Sequence, residues 1–472
     1  MRHLKACCKL PGAKAAAIAY ALFYVVWHVW TLPYAPLPWF DEVVFASISR
    51  QWIESASLVP GVTSAALHGL PFKIYGFVSF TIHGIAMQLL PLPLGYRLPT
   101  FLFACLLLLL CRRLFGLPWQ MLLVFSLDPF LQLSMHEGRM DLEAVFWSLS
   151  AWYFLCRTGK SRHSSWMAGV MALLAILTTP RSFVLLLPPV FTALRRGEWR
   201  FFLPLCGGYA LWILWAFGSP QAWLNHYLYD FALLKNYVGN SGYVPKHEYL
   251  LIGSVCLSAV LYFAGRRRLP KEPLFIASVS SIFTFYLLVF DYGPYSVFIL
   301  PLYYYLLFFF LQAANKRLRS LVLGCLLLFN VGYTFAKQVQ VFMSLPMRDY
   351  HAFHAFVRRH IPPGSKVVSE PMPYYALLEA GADLQLMDYY NTPGERERIH
   401  REEYRAEYMI VTDHLAWRKP GIVALYQANS EWQPIARYER QAPACLTGWE
   451  RLFRLSSTER TGYNCIIYRR RF

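Results

Sequence analysis

From residue 15 to residue 343 the chain repeats one pattern: a long apolar run, a short polar break, another apolar run. Runs of this kind approach the ~20 residues that an α-helix needs to cross a bilayer core of ~30 Å. Only a helix satisfies its own backbone there. The pattern predicts about eleven spans, with ends uncertain by a few residues. They are 15–33, 97–111, 118–135, 142–156, 165–180, 182–194, 201–218, 248–265, 273–290, 296–313 and 320–343. The break Thr179-Pro180-Arg181 marks a tight turn between two of them. A further apolar stretch, 74–92, carries Gly76, Gly84 and a Pro-rich end.

Charge decides how to read that stretch. Basic clusters fall between spans: Arg112-Arg113, Arg157 with Lys160 and Arg162, Arg195-Arg196 with Arg200, Arg266-Arg267-Arg268 with Lys271, and Lys316-Arg317 with Arg319. Loops rich in Lys and Arg stay cytoplasmic. All five clusters fall on one side, with Lys5, Lys9 and Lys14, only if 74–92 does not cross. It is therefore read as a juxtamembrane helix. Loops 34–96, 136–141, 178–182, 219–247 and 291–295 then lie outside, as does the C-terminus. Within the first of these, 47–55 reads as a short amphipathic helix along the interface. The first span has no clear small-residue cleavage site after it, so it reads as retained rather than as a signal peptide.

Beyond Leu345 the period changes. A helix at 351–360, a Pro-Pro-Gly turn at 362–364, a strand at 366–369, a helix at 374–380 and a strand at 408–412 alternate as in a small α/β domain. The organisation read from sequence is thus an α-helical polytopic membrane part, 1–344, and a small soluble C-terminal α/β domain, 345–472. Cys445 and Cys465 flank a strand-like tail, and outside the cytoplasm they are candidates for a disulfide.

The chain is 56% hydrophobic and 15% charged, too apolar for a soluble protein of 472 residues. Its formal charge of +18 would suggest nucleic acid in a soluble protein. Here the cations sit in short clusters between spans, so nucleic acid is excluded as a partner. Of 27 Asp and Glu, 15 lie beyond Leu345. The few acids of the membrane part gather by the loops placed outside, and ionisable groups at such depth usually have a function.

Five sites stand out. Asp41-Glu42 follows the first span directly, behind Pro38-Trp39-Phe40. Two adjacent carboxylates suit a general base and a partner that positions it, or a metal or cation site; an isolated pair is also an ordinary solvated one. His136-Glu137-Gly138-Arg139-Met140-Asp141 opens a span. Arg139 suits an anionic ligand or the Asp41 segment, or it snorkels to headgroups while Asp141 caps the helix. Arg181 suits a phosphate by bidentate hydrogen bonding, or again snorkels. Lys73 is a second candidate phosphate cation. Asp291-Tyr292-Gly293-Pro294-Tyr295 offers two tyrosines to a sugar or phosphate, or to the interface belt. His68, His83 and His226 have no paired spacing that supports a metal. No Gly-rich phosphate loop or Cys-rich metal spacing is present.

In this order the pieces resemble a known family. Phe40-Asp41-Glu42-Val43 resembles the Asp-Glu signature of the protein O-mannosyltransferases and is similar to that of the aminoarabinose transferases that modify lipid A. Lys73-Ile74-Tyr75 resembles the Lys-Pro loop end of the latter, without the Pro. Arg97-Leu98-Pro99, Gly138-Arg139-Met140-Asp141, Thr178-Thr179-Pro180-Arg181 and the Tyr295-to-Pro301 patch resemble further recurrent features. The resemblance covers 15–343 and implies a membrane glycosyltransferase of the GT-C type in a bacterial inner membrane. It implies a polyprenyl-phosphate-linked sugar donor, an active site on the periplasmic face and inversion at the anomeric carbon. The acceptor is left open between glycolipid, glycan and protein; no particular cofactor is implied, and a divalent metal is compatible. Asp41 and Glu42 are the implied catalytic pair, Lys73, Arg139 and Arg181 the phosphate ligands, and Asp141, Tyr292 and Tyr295 the groups that position substrate.

Two other classes remain. A polymerase or ligase of lipid-linked glycans would share the phosphate site. A transporter or flippase would place its charges near mid-membrane, between repeats; here the acids gather on one side and no repeat is evident.

Overall fold

The computed structural model describes residues 11–62, 73, 75–157, 162–237, 248–265, 272–288, 295–386, 405–418, 420–427, 431–441, 443–453, 455 and 462–471. Through the apolar part run α1 (Pro11–Thr31), α2 (Phe40–Ser55), α3 (Phe77–Leu89), α4 (Leu94–Phe115), α5 (Trp119–Ser126), α6 (Pro129–Ser134), α7 (Asp141–Arg157), α8 (Arg162–Thr178), α9 (Phe183–Arg196) and α10 (Trp199–Phe202). They are followed by α11 (Gly208–Phe217), α12 (Pro220–Tyr237), α13 (Glu248–Gly265), α14 (Pro273–Leu288), α15 (Leu300–Ala313) and α16 (Lys316–Ser344). Leu94–Phe115, Trp199–Phe217 and the helix from Lys316 are long and apolar enough to cross a membrane.

The surface of these helices is what a lipid-facing protein requires. Leu22, Phe23, Val26, Leu106, Phe191, Leu211, Val260, Phe283 and Leu328 are all exposed. In water such a belt would drive aggregation; in a bilayer it is the matched surface. The chain is a multi-pass membrane protein.

Three local departures from the sequence reading have simple causes. The expected span 118–135 is broken into α5 and α6, because Pro129 cannot donate to the helix ladder and Asp128 caps α6. Its carboxylate accepts from the Phe130 and Leu131 amides at 2.9 and 3.2 Å. The 219–247 segment, expected as a loop, contains α12, which starts at Pro220, a favoured first helical residue. The helix expected at 47–55 begins earlier, at Phe40, so Asp41 and Glu42 lie in its first turn and not in a loop. Two carboxylates there meet the positive end of the helix dipole.

The stretch 74–92 folds as α3, only 13 residues or about 20 Å long. It lies between α2 and α4. Gly84 permits the approach, since a Cβ there would stand 2.5 Å from the Ser49 carbonyl oxygen.

After Ser344 come α17 (Tyr350–His360), β1 (Lys366–Ser369), α18 (Tyr374–Ala380), β2 (Asp383–Leu386), β3 (Tyr408–Thr412), α19 (Asp413–Arg418), α20 (Pro420–Gln427), β4 (Trp432–Tyr438), α21 (Ala444–Phe453) and β5 (Cys465–Arg470). The strands form one sheet in the order β2-β1-β3-β5-β4. β1 pairs in parallel with β2 and β3, while β5 runs antiparallel to β3 and β4. Pro434 is tolerated because β4 is an edge strand with an irregularity between Pro434 and Ala436. The candidate disulfide is not formed: Cys445 and Cys465 are both free thiols. Cys465 packs inward from β5 against the core, while Cys445 is exposed at the start of α21.

This layer is not a separate appendage. Val43, Phe45 and Ile48 of α2, Phe80 and Tyr96 share one hydrophobic cluster with Tyr375, Leu377, Ile410 and Ile467. On the other side, the Trp449 indole donates to the Ala336 carbonyl at 2.9 Å, and Gln340 donates to Glu450 at 2.9 Å.

Candidate active site at the head of the second helix

Asp41 stands at the start of α2 with its side chain 34% exposed. Arg139 reaches it from 98 residues away, donating from Nη1 to Asp41 Oδ2 at 3.0 Å. The same guanidinium donates from Nε to Asp141 Oδ2 at 2.5 Å. Gly138 makes this turn: its φ is +65°, and a Cβ would lie 2.7 Å from the Tyr96 ring. Arg139 also sits 5.4 Å from the Trp39 ring centroid and 4.7 Å from that of Tyr295. Arg139 is buried, and burial alone would lower its pKa. Asp141, Tyr295 and Asp41 more than offset that and hold it above the usual guanidinium range.

Arg181 lies across the same tyrosine, 3.9 Å from the Tyr295 centroid. It donates from Nη1 to the Tyr75 hydroxyl at 2.8 Å. Burial pushes the Tyr75 hydroxyl up to about 12 although Arg181 pulls it down, so it stays a neutral donor at working pH. Among the described residues no carboxylate is within ion-pair distance of Arg181. The fold therefore separates the two arginines by chemistry. Arg139 is flanked by two carboxylates, whereas the direct contacts of Arg181 are Tyr75 and Tyr295, and the charge of Asp141 reaches it only from beyond ion-pair distance.

The other expected site residues divide between structural and peripheral places. Glu42 is fully buried. Arg97 grips it with two parallel bonds of 2.8 Å, from Nε to Oε1 and from Nη2 to Oε2, and the Tyr375 hydroxyl donates to Oε1 at 3.0 Å. So held, both Glu42 oxygens are engaged by groups of the protein itself. Lys73 is not part of the cluster: its Nζ donates to the Ala216 carbonyl at 2.5 Å and lies 5.8 Å from the Phe217 ring. Tyr292 and Asp291 lie outside the described residues. Among the described residues no group of three or more His, Cys, Asp or Glu suits a metal ion. His83 instead pairs with Glu143 at 2.5 Å, and its other ring nitrogen meets the Tyr96 carbonyl at 2.6 Å.

Arg97, Tyr75 and Tyr375 carry no role that sequence assigns. Arg97 sits in the Arg-Leu-Pro motif, but nothing local pairs it with Glu42, 55 positions away. Glu137 is a further addition. Burial pushes its carboxyl up to about 7; Arg139 pulls it down, and Asp141, Asp41 and Glu42 push it up again. A raised carboxyl means the fold favours the neutral acid, so this contribution to stability is present below pH ~4.5 and lost as pH rises through 7. Glu137→Gln cannot ionise. Its melting temperature is expected to match wild type near pH 4.5 and exceed it at pH 8. Parallel melting curves across that range would count against the placement.

Beside this cluster, and sharing Trp39 with it, is a cavity of about 520 Å³. Leu37, Gln132, His136, Lys337, Arg348 and His414 line it, so helices and sheet layer both contribute. Among the described lining residues none is a carboxylate. The volume is typical of a small-molecule site.

No protein-family model matches this sequence, and no curated protein sequence does. Solved structures do match. The crystal structure of ArnT from Cupriavidus metallidurans bound to undecaprenyl phosphate aligns with a TM-score of 0.60, over 97% of this chain and 98% of that one. The fold is that of ArnT. The apo state of ArnT aligns over the same shares with a TM-score of 0.58. Both are structures of ArnT, and what this chain shares with them is the fold. Identities of 12% and 14% carry the ArnT fold and nothing finer. The oligosaccharyltransferase of Archaeoglobus fulgidus in its apo form also aligns, over 86% of this chain and 71% of that one at 12% identity; its TM-score of 0.41 is too low to build on.

Proposed function

We propose that this protein is an integral membrane glycosyltransferase. It moves a sugar from a polyprenyl-phosphate-linked donor to an acceptor hydroxyl, with inversion. The observation that carries this is a part-exposed carboxylate, Asp41, paired with the buried Arg139, beside a half-buried Arg181 whose direct contacts are tyrosines. A base and an anion site side by side are what displacement of a phosphate requires. The ArnT fold adds support, since one matched ArnT structure is described as bound to undecaprenyl phosphate.

Each group then has a task. Asp41 accepts the proton of the acceptor hydroxyl as its oxygen attacks the anomeric carbon. The bond from that carbon to the phosphate oxygen breaks on the opposite face, and the electron pair leaves with the phosphate. Arg181 and Arg139, with the Tyr75 hydroxyl, stabilise the negative charge that grows there. Glu42 and Asp141 hold Asp41 and Arg139 in place. The Trp39-sided cavity receives the acceptor. Residues 1–344 form the catalytic membrane part and 345–472 a periplasmic layer, with the N-terminus cytoplasmic and the membrane the bacterial inner one.

The cations should rank. Hydrogen bonds to charged groups are each worth roughly 1.5–3 kcal/mol. Arg181→Ala is expected to weaken undecaprenyl phosphate binding to the purified protein by at least ~10-fold. Lys73→Ala, whose ammonium is held by Ala216, should change it less. Equal losses would place Lys73 in the phosphate site.

The function itself is tested by mass spectrometry of glycolipids and glycoproteins from a deletion strain. A glycoconjugate that loses one sugar mass, and regains it on complementation, names both sugar and acceptor. No change in any glycoconjugate would remove this reading.

A further inference from the structure

The catalytic cluster of the proposed reaction is built on the membrane helices, yet one of its supports comes from the far end of the chain. Tyr375, in the first turn of α18, donates from its hydroxyl to Glu42 Oε1 across 333 positions of sequence. Both side chains are buried. Resting on the glycosyltransferase reading, we propose that Tyr375 is a positioning residue for Asp41, so that the C-terminal sheet layer is a working part of the catalytic centre.

The number and direction of donors on Glu42 point to this role. Glu42 is fully buried, ion-paired with Arg97 and adjacent in the chain to Asp41, in a turn where a small rotation swings both side chains. Its two oxygens are held by three donors: two nitrogens of Arg97 and the Tyr375 hydroxyl. Arg97 is itself fixed, since its Nη1 donates to the Leu32 carbonyl just past α1, at 2.7 Å. The arginine approaches in one plane and defines two directions. The tyrosine supplies the third and comes from another layer of the protein. Without it Oε1 keeps one donor, and the first turn of α2 is held by the arginine alone. The neighbouring Tyr374 is equally buried, but its charged neighbours are Arg50 and Glu54 near the other end of α2. It is a built-in control of the same size in the same helix.

The test uses the full chain in lipid nanodiscs, with Tyr375→Phe and Tyr374→Phe compared with wild type. Loss of one bond to a buried charged acceptor corresponds to roughly a 10-fold effect or more. Amide hydrogen exchange of residues 39–46 should therefore quicken about 10-fold in Tyr375→Phe and stay at the wild-type rate in Tyr374→Phe. Unchanged exchange, or equal quickening in both, overturns the proposal. With the donor and acceptor named by the deletion strain, kcat for Tyr375→Phe should fall about 10-fold at unchanged donor KM, because ground-state binding on Arg181 is untouched. Full kcat, or a fall traced wholly to KM, also overturns it. If wild type transfers no sugar at all, the glycosyltransferase reading fails, while the exchange result still decides whether Tyr375 holds this turn.

Discussion

Asp41→Asn is expected to lower the rate of the proposed sugar transfer by ~10²–10⁴-fold and to leave the protein folded. The magnitude is that of a positioned general base. The substitution keeps the shape of the side chain and one oxygen for Arg139, but removes the charge and the basicity. Arg139 retains its other carboxylate, Asp141, at 2.5 Å, so the cluster should not collapse. The first turn of α2 loses one favourable dipole interaction, about 0.3–1 kcal/mol, and keeps Glu42. Initial rates in proteoliposomes, with undecaprenyl phosphate binding measured separately, check both halves. A variant that turns over at the wild-type rate would show that the carboxylate is not the base, and the transporter reading would regain ground.

Arg97→Met has the second large effect, on folding rather than turnover. It removes the partner of a fully buried carboxylate, a change that costs roughly 3–5 kcal/mol because the remaining charge is stranded. Little folded protein should be recovered from membranes. Adding Glu42→Gln removes that charge, and the double variant should recover much of the yield and melting temperature, though not the activity. A single variant as stable as the double would mean that Glu42 does not carry a buried charge.

The parts of the fold legible in sequence were those with a strong local signal. The strands at 366–369 and 408–412 and the helix at 374–380 stand where alternation and turn residues put them. So do the helices near 94–115, 141–157 and 248–265, which the apolar runs 97–111, 142–156 and 248–265 mark. β2 and β4 were not read, because four to seven residues of mixed character become strands only when β1 and β5 offer them an edge. The Asp128-Pro129 break was visible as residues, yet apolar content on both sides masked it.

Within the cluster, Asp41, Arg139, Asp141 and Arg181 stand out in the sequence because each is a charge that is costly to place at an apolar boundary. Which of them meet was not readable. By the same cost Lys73 ranks with the arginines, yet the backbone carbonyl of Ala216 holds it away from them. As neighbours in sequence Asp41 and Glu42 read as one pair, and the fold turns them apart, one toward Arg139 and one toward Arg97.

By itself, then, the sequence determined that this is a chain of apolar helices with charged groups concentrated between them and an α/β layer after residue 345. Hydrophobic runs and charge clusters are local, and burial in lipid makes their cost unmistakable. Only the tertiary structure decided the work each charge does. Glu42 is enclosed because Arg97 and Tyr375, 55 and 333 positions away, close over it. Arg181 makes its direct contacts with Tyr75 and Tyr295 rather than with a carboxylate. Those partnerships depend on how helices cross, and no local pattern encodes a crossing.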